Sequence, residues 1–433
     1  MAGATMKVEI VSRETVKPSS PTPSNLKTFK FSLLDQIYPS FYMPLILFYP
    51  AKTDTNPHLR CHILKTSLSK TLTMYYPFAG RIKDHLSIEC NDEGVMFIET
   101  RVNCLLSSVL RNPNPDQLQK FQPLEVESPA KVETSNLLFV QVNVFQCGGM
   151  AIGARLVHKI ADATTFTTFI KTWASVALES DEVVHPELFV GATTFPPVDF
   201  ELPSNEDILI QDESCICKRL LFTASNIDAL KAKICSASIQ QPTRVEAITA
   251  LIWKCAITAS RSIRGTLSRS SLCLHGVNMR KRLSTPLSEY SVGNILTGIT
   301  AEFSETKIEL QSLVLKLRKE LKELKVNREK ILDNVHKMME AASIEKHSGD
   351  ADVYGFSSWC RMPVYDVDFG WGKPTWISLF NMKFPNVVVL MDTKEGDGIE
   401  AWVTLCGEEM ALFECNEELL SFAAVNPNVI EMT

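Results

Sequence analysis

The segment Val157-His158-Lys159-Ile160-Ala161-Asp162-Ala163 constrains this chain most, because it ends one kind of structure and opens another. Leu137 to Phe145 is apolar and β-branched, and Cys147-Gly148-Gly149 supplies turn chemistry, so a hairpin is predicted. Its return arm carries Met150, Ile152, Ala154 and Leu156 in alternation, and His158 is in phase with that row. Asp162 stands where a helix N-cap belongs, and Phe166, Phe169, Ile170, Trp173, Ala174 and Ala177 then recur at helical spacing. A histidine aimed inward from a strand end, with an acid at the following helix start, reads in two ways. It is an oriented base, or it is a satisfied core histidine.

At 433 residues the chain exceeds one ordinary core, and two domains are expected. A clear boundary falls at 179–213, which holds ten acidic residues, no Lys or Arg, and prolines at 186, 196, 197 and 203. Such a stretch buries little and propagates no helix, so it reads as an extended crossover between an N-terminal domain (1–178) and a C-terminal domain (214–433). The hairpin-then-helix grammar recurs near the end: Asn386 to Thr393, the turn Glu395-Gly396-Asp397-Gly398, Ile399 to Leu405, then a helix through Phe413 and Leu419. Thr306 to Ala342 is strongly helical and charged. Its Leu310, Leu313, Leu317, Leu321 and Leu324 predict a surface helix with one buried stripe, or a coiled-coil partner.

Composition excludes several classes. A net charge of −6 argues against a general nucleic-acid binder. Twelve cysteines are scattered; only Cys215 and Cys217 lie close together, which is poor evidence for zinc, and reduced core residues of a cytoplasmic protein are expected. No signal-peptide or membrane-spanning run is present in the sequence. A metal site from His158 and Asp162 lacks further ligands nearby.

A second segment gives these features a chemistry. Ser357-Ser358-Trp359-Cys360-Arg361 leads through Pro363 and Tyr365 to Asp368-Phe369-Gly370-Trp371-Gly372-Lys373-Pro374, a stretch suited to a rigid aromatic loop. With His158, this resembles the plant BAHD acyltransferase family, whose signatures are HxxxD and DFGWG. Phe31-Ser32-Leu33-Leu34-Asp35 is similar to its LSxLD element, Tyr76-Pro77-Phe78-Ala79-Gly80-Arg81 to the turn after its first helix, and Asn278-Met279-Arg280 and Gly293-Asn294 to its NxR and GN elements. The pattern most resembles the vinorine synthase-like branch of alkaloid acetyltransferases. DFGWG is specific; HxxxD alone is weak.

The resemblance implies an α/β fold: two similar-sized domains of mixed β-sheet flanked by helices, like chloramphenicol acetyltransferase, joined by a long crossover, with a channel at their interface. It implies acyl transfer from acetyl-CoA or another acyl-CoA, a co-substrate and not a resident cofactor, to a small-molecule acceptor. His158 would be the general base, and no GxSxG-like nucleophile suggests a covalent route. Asp368 and Trp371 join it as catalytic candidates, although Asp368 could instead hold the Phe369-to-Gly372 loop by accepting backbone N–H groups, since the family treats that loop mainly as architecture for the channel and CoA site; Trp371 would donate to the oxyanion or simply pack. Asp162 would pair with Arg280, although a dyad with His158 stays open. Lys254 and Ser357 are assigned to the CoA, and Arg280-Lys281-Arg282 is the densest basic cluster for its phosphates. A monomer without nucleic-acid or membrane partners is expected. Two departures stand out: Val157 replaces a frequent second histidine, and Ala163 replaces a usual Gly, where its methyl could narrow the acyl site. The rival readings are an N-acyltransferase, a peptide-synthetase condensation-like domain, and an inactive binding protein on the same scaffold.

Overall fold

The computed structural model describes residues 6–52, 56–123, 135–199, 212, 214–324, 333, 337, 351–379 and 384–430. In chain order the N-terminal strands are β1 (Val8–Val16), β2 (Thr28–Lys30), β3 (Tyr42–Tyr49), β4 (Arg81–Asp84), β5 (Ser87–Glu89), β6 (Val95–Val102), β7 (Leu138–Phe145) and β8 (Met150–Val157). After the crossover come β9 (Cys215–Phe222), β10 (Ser270–Asn278), β11 (Leu296–Phe303), β12 (Ala351–Ser358), β13 (Trp376–Ser378), β14 (Val387–Asp392), β15 (Ile399–Cys406) and β16 (Ala424–Val425). Two large mixed sheets result, ordered β1-β6-β7-β8-β3-β13 and β11-β10-β12-β14-β15-β9-β16.

The hairpin forms as the sequence predicts, with β7 antiparallel to β8 and Gly148 at φ 80° in its turn. β8 lies between β7 and β3 and is buried on both faces, so its alternation marks direction and not exposure. One close approach fixes a residue: a Cβ on Gly153 would meet the Phe121 carbonyl oxygen at 2.1 Å. Asp162 caps the Ala163–Ala177 helix by accepting from Thr165 N at 2.8 Å, and Phe166, Phe169, Ile170 and Trp173 are fully buried on its inner face. Burial of four such side chains stabilises by roughly 1.5–3 kcal/mol each before entropy is counted.

The domain boundary needs correction. β13 belongs in sequence to the second half, yet it pairs antiparallel with β3 of the first sheet, Ile377 opposite Leu47. Trp359, Val364, Val367, Phe369 and Trp371 also join the N-terminal core, while Leu33 and Leu34 pack into the C-terminal one. An exchanged strand covers an otherwise open sheet edge, which a compact fold must protect. Trp376 then ties the two halves, donating from Nε1 to buried Glu400 of β15 at 3.2 Å.

The described part of the crossover is not free chain. Glu187 N donates to Tyr290 O, and Val292 N to Glu187 O, both at 3.0 Å. The Leu310–Glu323 helix buries Leu310, Leu313, Val314 and Leu317 and exposes Leu315, the single-stripe arrangement; most of 325–342 lies outside the described residues. The final grammar is also present, as β14, β15 and the helices Gly407–Phe413 and Glu417–Leu420. All twelve cysteines are free thiols, six of them buried. Among the described residues no helix is long and apolar enough to cross a membrane.

Candidate active site

His158 follows β8 directly and opens a short 3-10 turn, His158–Ile160. Its N–H donates to Phe41 O at 2.7 Å, extending the β3–β8 ladder by one bond and fixing the backbone from which the ring projects. The side chain keeps partial solvent contact, yet protein packs densely around the ring. Desolvation therefore holds its pKa below the ordinary 6.5, against smaller opposing pulls from its own carbonyl, the Asp162 carboxylate and Asn294. At neutral pH the imidazole is uncharged, the state that accepts a proton.

Asp162 does not orient it. Its carboxylate is bidentate on the Arg280 guanidinium, at 2.6 Å and 3.1 Å, with both side chains almost fully buried. Oδ2 also accepts from Ile295 N at 3.0 Å. Arg280 further donates to Ser291 O and Thr165 Oγ1, so the pair bolts the start of the Ala163–Ala177 helix to the second domain. The predicted ion pair is present, and the dyad with His158 is not.

The orienting role falls to residues that sequence reasoning did not assign. Asn294 Nδ2 donates to His158 O at 2.8 Å and to Asp35 Oδ1 at 3.0 Å. Asn294 Oδ1 and His158 Nδ1 are both buried and neither makes a hydrogen bond of normal geometry, while the nearby Asn294 amide favours the protonated ring. A proton kept at Nδ1 leaves Nε2 to serve as base. Asp35 is itself held in a capping box with Ser32, and Gly293 makes room for it: φ is 118°, and a Cβ there would sit 3.2 Å from Asp35 Oδ1. The signals were the Ser32-x-x-Asp35 spacing and the Gly293-Asn294 pair; the contact between them could not be read locally.

Aromatic rings complete the wall. Tyr38 stacks on His158 at 4.9 Å and 7°, Phe41 lies 5.0 Å away at 45°, and Phe384 meets Phe41 edge-on at 5.4 Å.

The other candidates are spread over both halves of the fold. Asp368 accepts from Gly370 N at 2.8 Å and Gly372 N at 2.9 Å, so it holds its own loop. Trp371 packs against Phe369 and Tyr49 and lies under the Arg60 guanidinium at 5.6 Å. Tyr49 ends β3, whereas Phe41, bonded to His158, precedes it. Eight residues of strand at ~3.3 Å each separate the two ends by roughly 25 Å. Asp368 and Trp371 thus lie toward the end of β3 remote from His158. Lys254, on the Arg244–Arg264 helix of the second domain, pairs with Glu418 at 2.7 Å and stays partly exposed. Arg280 is buried in its pair, leaving only Lys281 and Arg282 of the basic triplet exposed. Ser357 fares better: β10 pairs with β12 only as far as Phe356, so Ser357 is half-buried where the ladder opens. Nearby, Trp359 touches Phe166 at 6.5 Å and Asn278 donates to Thr164 Oγ1, both across the domain seam. A cavity of about 870 Å³ lies elsewhere, beside β1, β6 and β7, away from His158.

Two mixed sheets flanked by helices, with a histidine at the end of β8 where they meet, form the chloramphenicol acetyltransferase-like fold. The Transferase family profile matches residues 6–420, and the chain belongs to that family, the BAHD acyltransferases. It is 40% identical over 417 residues to akuammiline synthase 1 of Alstonia scholaris, covering 96% of this chain and 97% of that one. It is 36% identical over 414 residues to stemmadenine O-acetyltransferase of Catharanthus roseus, covering 94% and 96%. The crystal structure of vinorine synthase, an enzyme of Rauvolfia serpentina, superposes with a TM-score of 0.85 at 36% identity, covering 96% of this chain and 98% of that one.

Proposed function

We propose that the protein transfers an acyl group, acetyl above others, from its CoA thioester to a hydroxyl of a plant specialised metabolite, an alkaloid alcohol in the first instance. His158 takes the hydroxyl proton at Nε2 as the oxygen attacks the thioester carbonyl. The tetrahedral intermediate then expels the CoA thiolate, the C–S bond breaks, and the imidazolium returns its proton to sulfur, leaving ester and free CoA thiol. No acyl-enzyme forms. One observation carries this reading: a partly exposed imidazole at the end of β8, stacked on Tyr38, while the nearby carboxylate of Asp162 is committed to Arg280. The name of stemmadenine O-acetyltransferase supports an acetyl donor and a hydroxyl acceptor. Ser357, at the opening beside β12, is the residue we place nearest the CoA, and the chain is proposed to act as a cytoplasmic monomer.

The test is to incubate purified protein with acetyl-CoA and pooled alkaloid alcohols, following free thiol and product mass. Thiol release coupled to acetylated product is expected, and it should vanish in His158→Ala. Turnover that survives in that variant, or thiol release without acetylated product, would refute the assignment.

A further inference from the structure

A histidine that takes a proton becomes positively charged, and something must stabilise that charge in a desolvated site. The carboxylates near His158 are spent elsewhere. Asp162 is bidentate on Arg280 and accepts from two backbone N–H groups, Thr165 and Ile295. Asp35 accepts from Ser32 and Asn294 and reaches the histidine only through the Asn294 amide. Arg280 is a like charge. Lys159, the next residue, turns away to donate to Gln36 O at 3.3 Å and lies over the Phe31 ring. Beside the Asn294 amide and the more distant pull of the Asp162 carboxylate, what faces the imidazole is aromatic.

We infer that Tyr38, backed by Phe41, is the partner of the His158 imidazolium: a positioning residue whose π face fixes the ring plane and stabilises the positive charge of the transition state. The geometry is that of an offset parallel stack, 4.9 Å between centroids at 7°. A cation over an aromatic face is attracted by the ring quadrupole, more strongly once water is excluded. Chain chemistry fixes Tyr38 as well. It caps the Leu33–Ile37 helix at its C-terminal end, with its N–H donating to Asp35 O at 3.3 Å, and Pro39 restricts it to its extended backbone, φ −78° and ψ 137°. Burial raises the phenol far above its usual range, so the ring stays neutral wherever an enzyme would work. Phe41 supplies a second, tilted face at 5.0 Å and is itself braced by Phe384.

The catalytic consequence rests on the proposed acyl transfer; the effect on the imidazole does not. The experiment therefore reads both. Protein carrying ¹³C at histidine Cε1 is titrated by NMR without substrate, with the His158 signal assigned by its absence from His158→Gln. Wild type, Tyr38→Phe and Tyr38→Leu are compared, with melting curves to establish folding and Tyr38→Met replacing the Leu variant should that one fail to fold. In Tyr38→Leu the His158 midpoint should fall, and kcat should drop on the order of tenfold with KM for acetyl-CoA unchanged. Tyr38→Phe, which keeps the ring and loses the hydroxyl, should restore both. An unmoved midpoint in Tyr38→Leu overturns the inference, even if activity is lost. So does a Phe variant as impaired as Leu, which would mean that the hydroxyl acts instead. A lowered midpoint in protein that transfers no acyl group in any form would leave the π contact standing and refute the acyl-transfer reading alone.

Discussion

Arg280→Ala is the most informative single perturbation of this fold. The guanidinium has two bonds to Asp162, at 2.6 Å and 3.1 Å, and further ones to Ser291 O at 2.8 Å and Thr165 Oγ1 at 3.1 Å, with only 2% of its side chain exposed. Removing it strands a buried carboxylate that keeps only the Thr165 and Ile295 N–H groups, and it orphans a carbonyl. A broken buried pair costs about 3–5 kcal/mol, against about 0–1 for an exposed one. At roughly 2–4 °C per kcal/mol for a 150–250-residue domain, the melting temperature should fall by about 10 °C. Asp162→Ala should cost a similar amount, since it also removes the helix cap. The double variant should lose clearly less than the sum, because each single change already destroys the shared interaction. Urea unfolding of all four proteins, with kcat measured on the folded fraction, decides the matter. Strict additivity, or a large loss of kcat with unchanged stability, would refute the structural role and restore a catalytic dyad.

His158→Ala should lower kcat by roughly 10²–10⁴ while leaving the melting curve near wild type, as steady-state kinetics and calorimetry would show. Asn294→Ala should cost kcat at every pH, because the imidazole loses the amide that fixes its tautomer; an unchanged kcat would exclude that role. Burial holds His158 and His275 below their ordinary 6.5, so the unfolded chain binds these protons first as pH falls. Their contribution to stability is therefore complete above about pH 6.5 and is lost progressively below it, and a His158→Gln, His275→Gln variant should show a shallower decline in urea midpoint between about pH 7.5 and 5.5. Ala163, half-exposed at the first position of the helix beside His158, should restrict the donor. Ala163→Gly should raise benzoyl-CoA turnover relative to acetyl-CoA, and identical donor profiles would mean that the methyl only starts a helix.

What the sequence determined by itself is what short-range physics decides. The hairpin from Leu138 to Val157, the Asp162 cap, the buried stripe of the Leu310–Glu323 helix and the final strand pair each follow from alternation, capping or turn chemistry within a few residues. The Asp162–Arg280 pair, 118 residues apart, was legible only through family resemblance. Tertiary structure alone decided the rest. It carried β13 into the wrong half of the chain, because an open edge on β3 had to be covered. It set Trp371 and Asp368 toward the end of β3 remote from His158. It brought Asp35 to Asn294 across 259 residues and laid Tyr38 on His158, giving the imidazole an amide and an aromatic face where the sequence offered only an acid four positions away. A carboxylate finds its partner by desolvation and geometry, and Arg280, arriving from the other domain with a bidentate fork, outcompetes the nearer histidine.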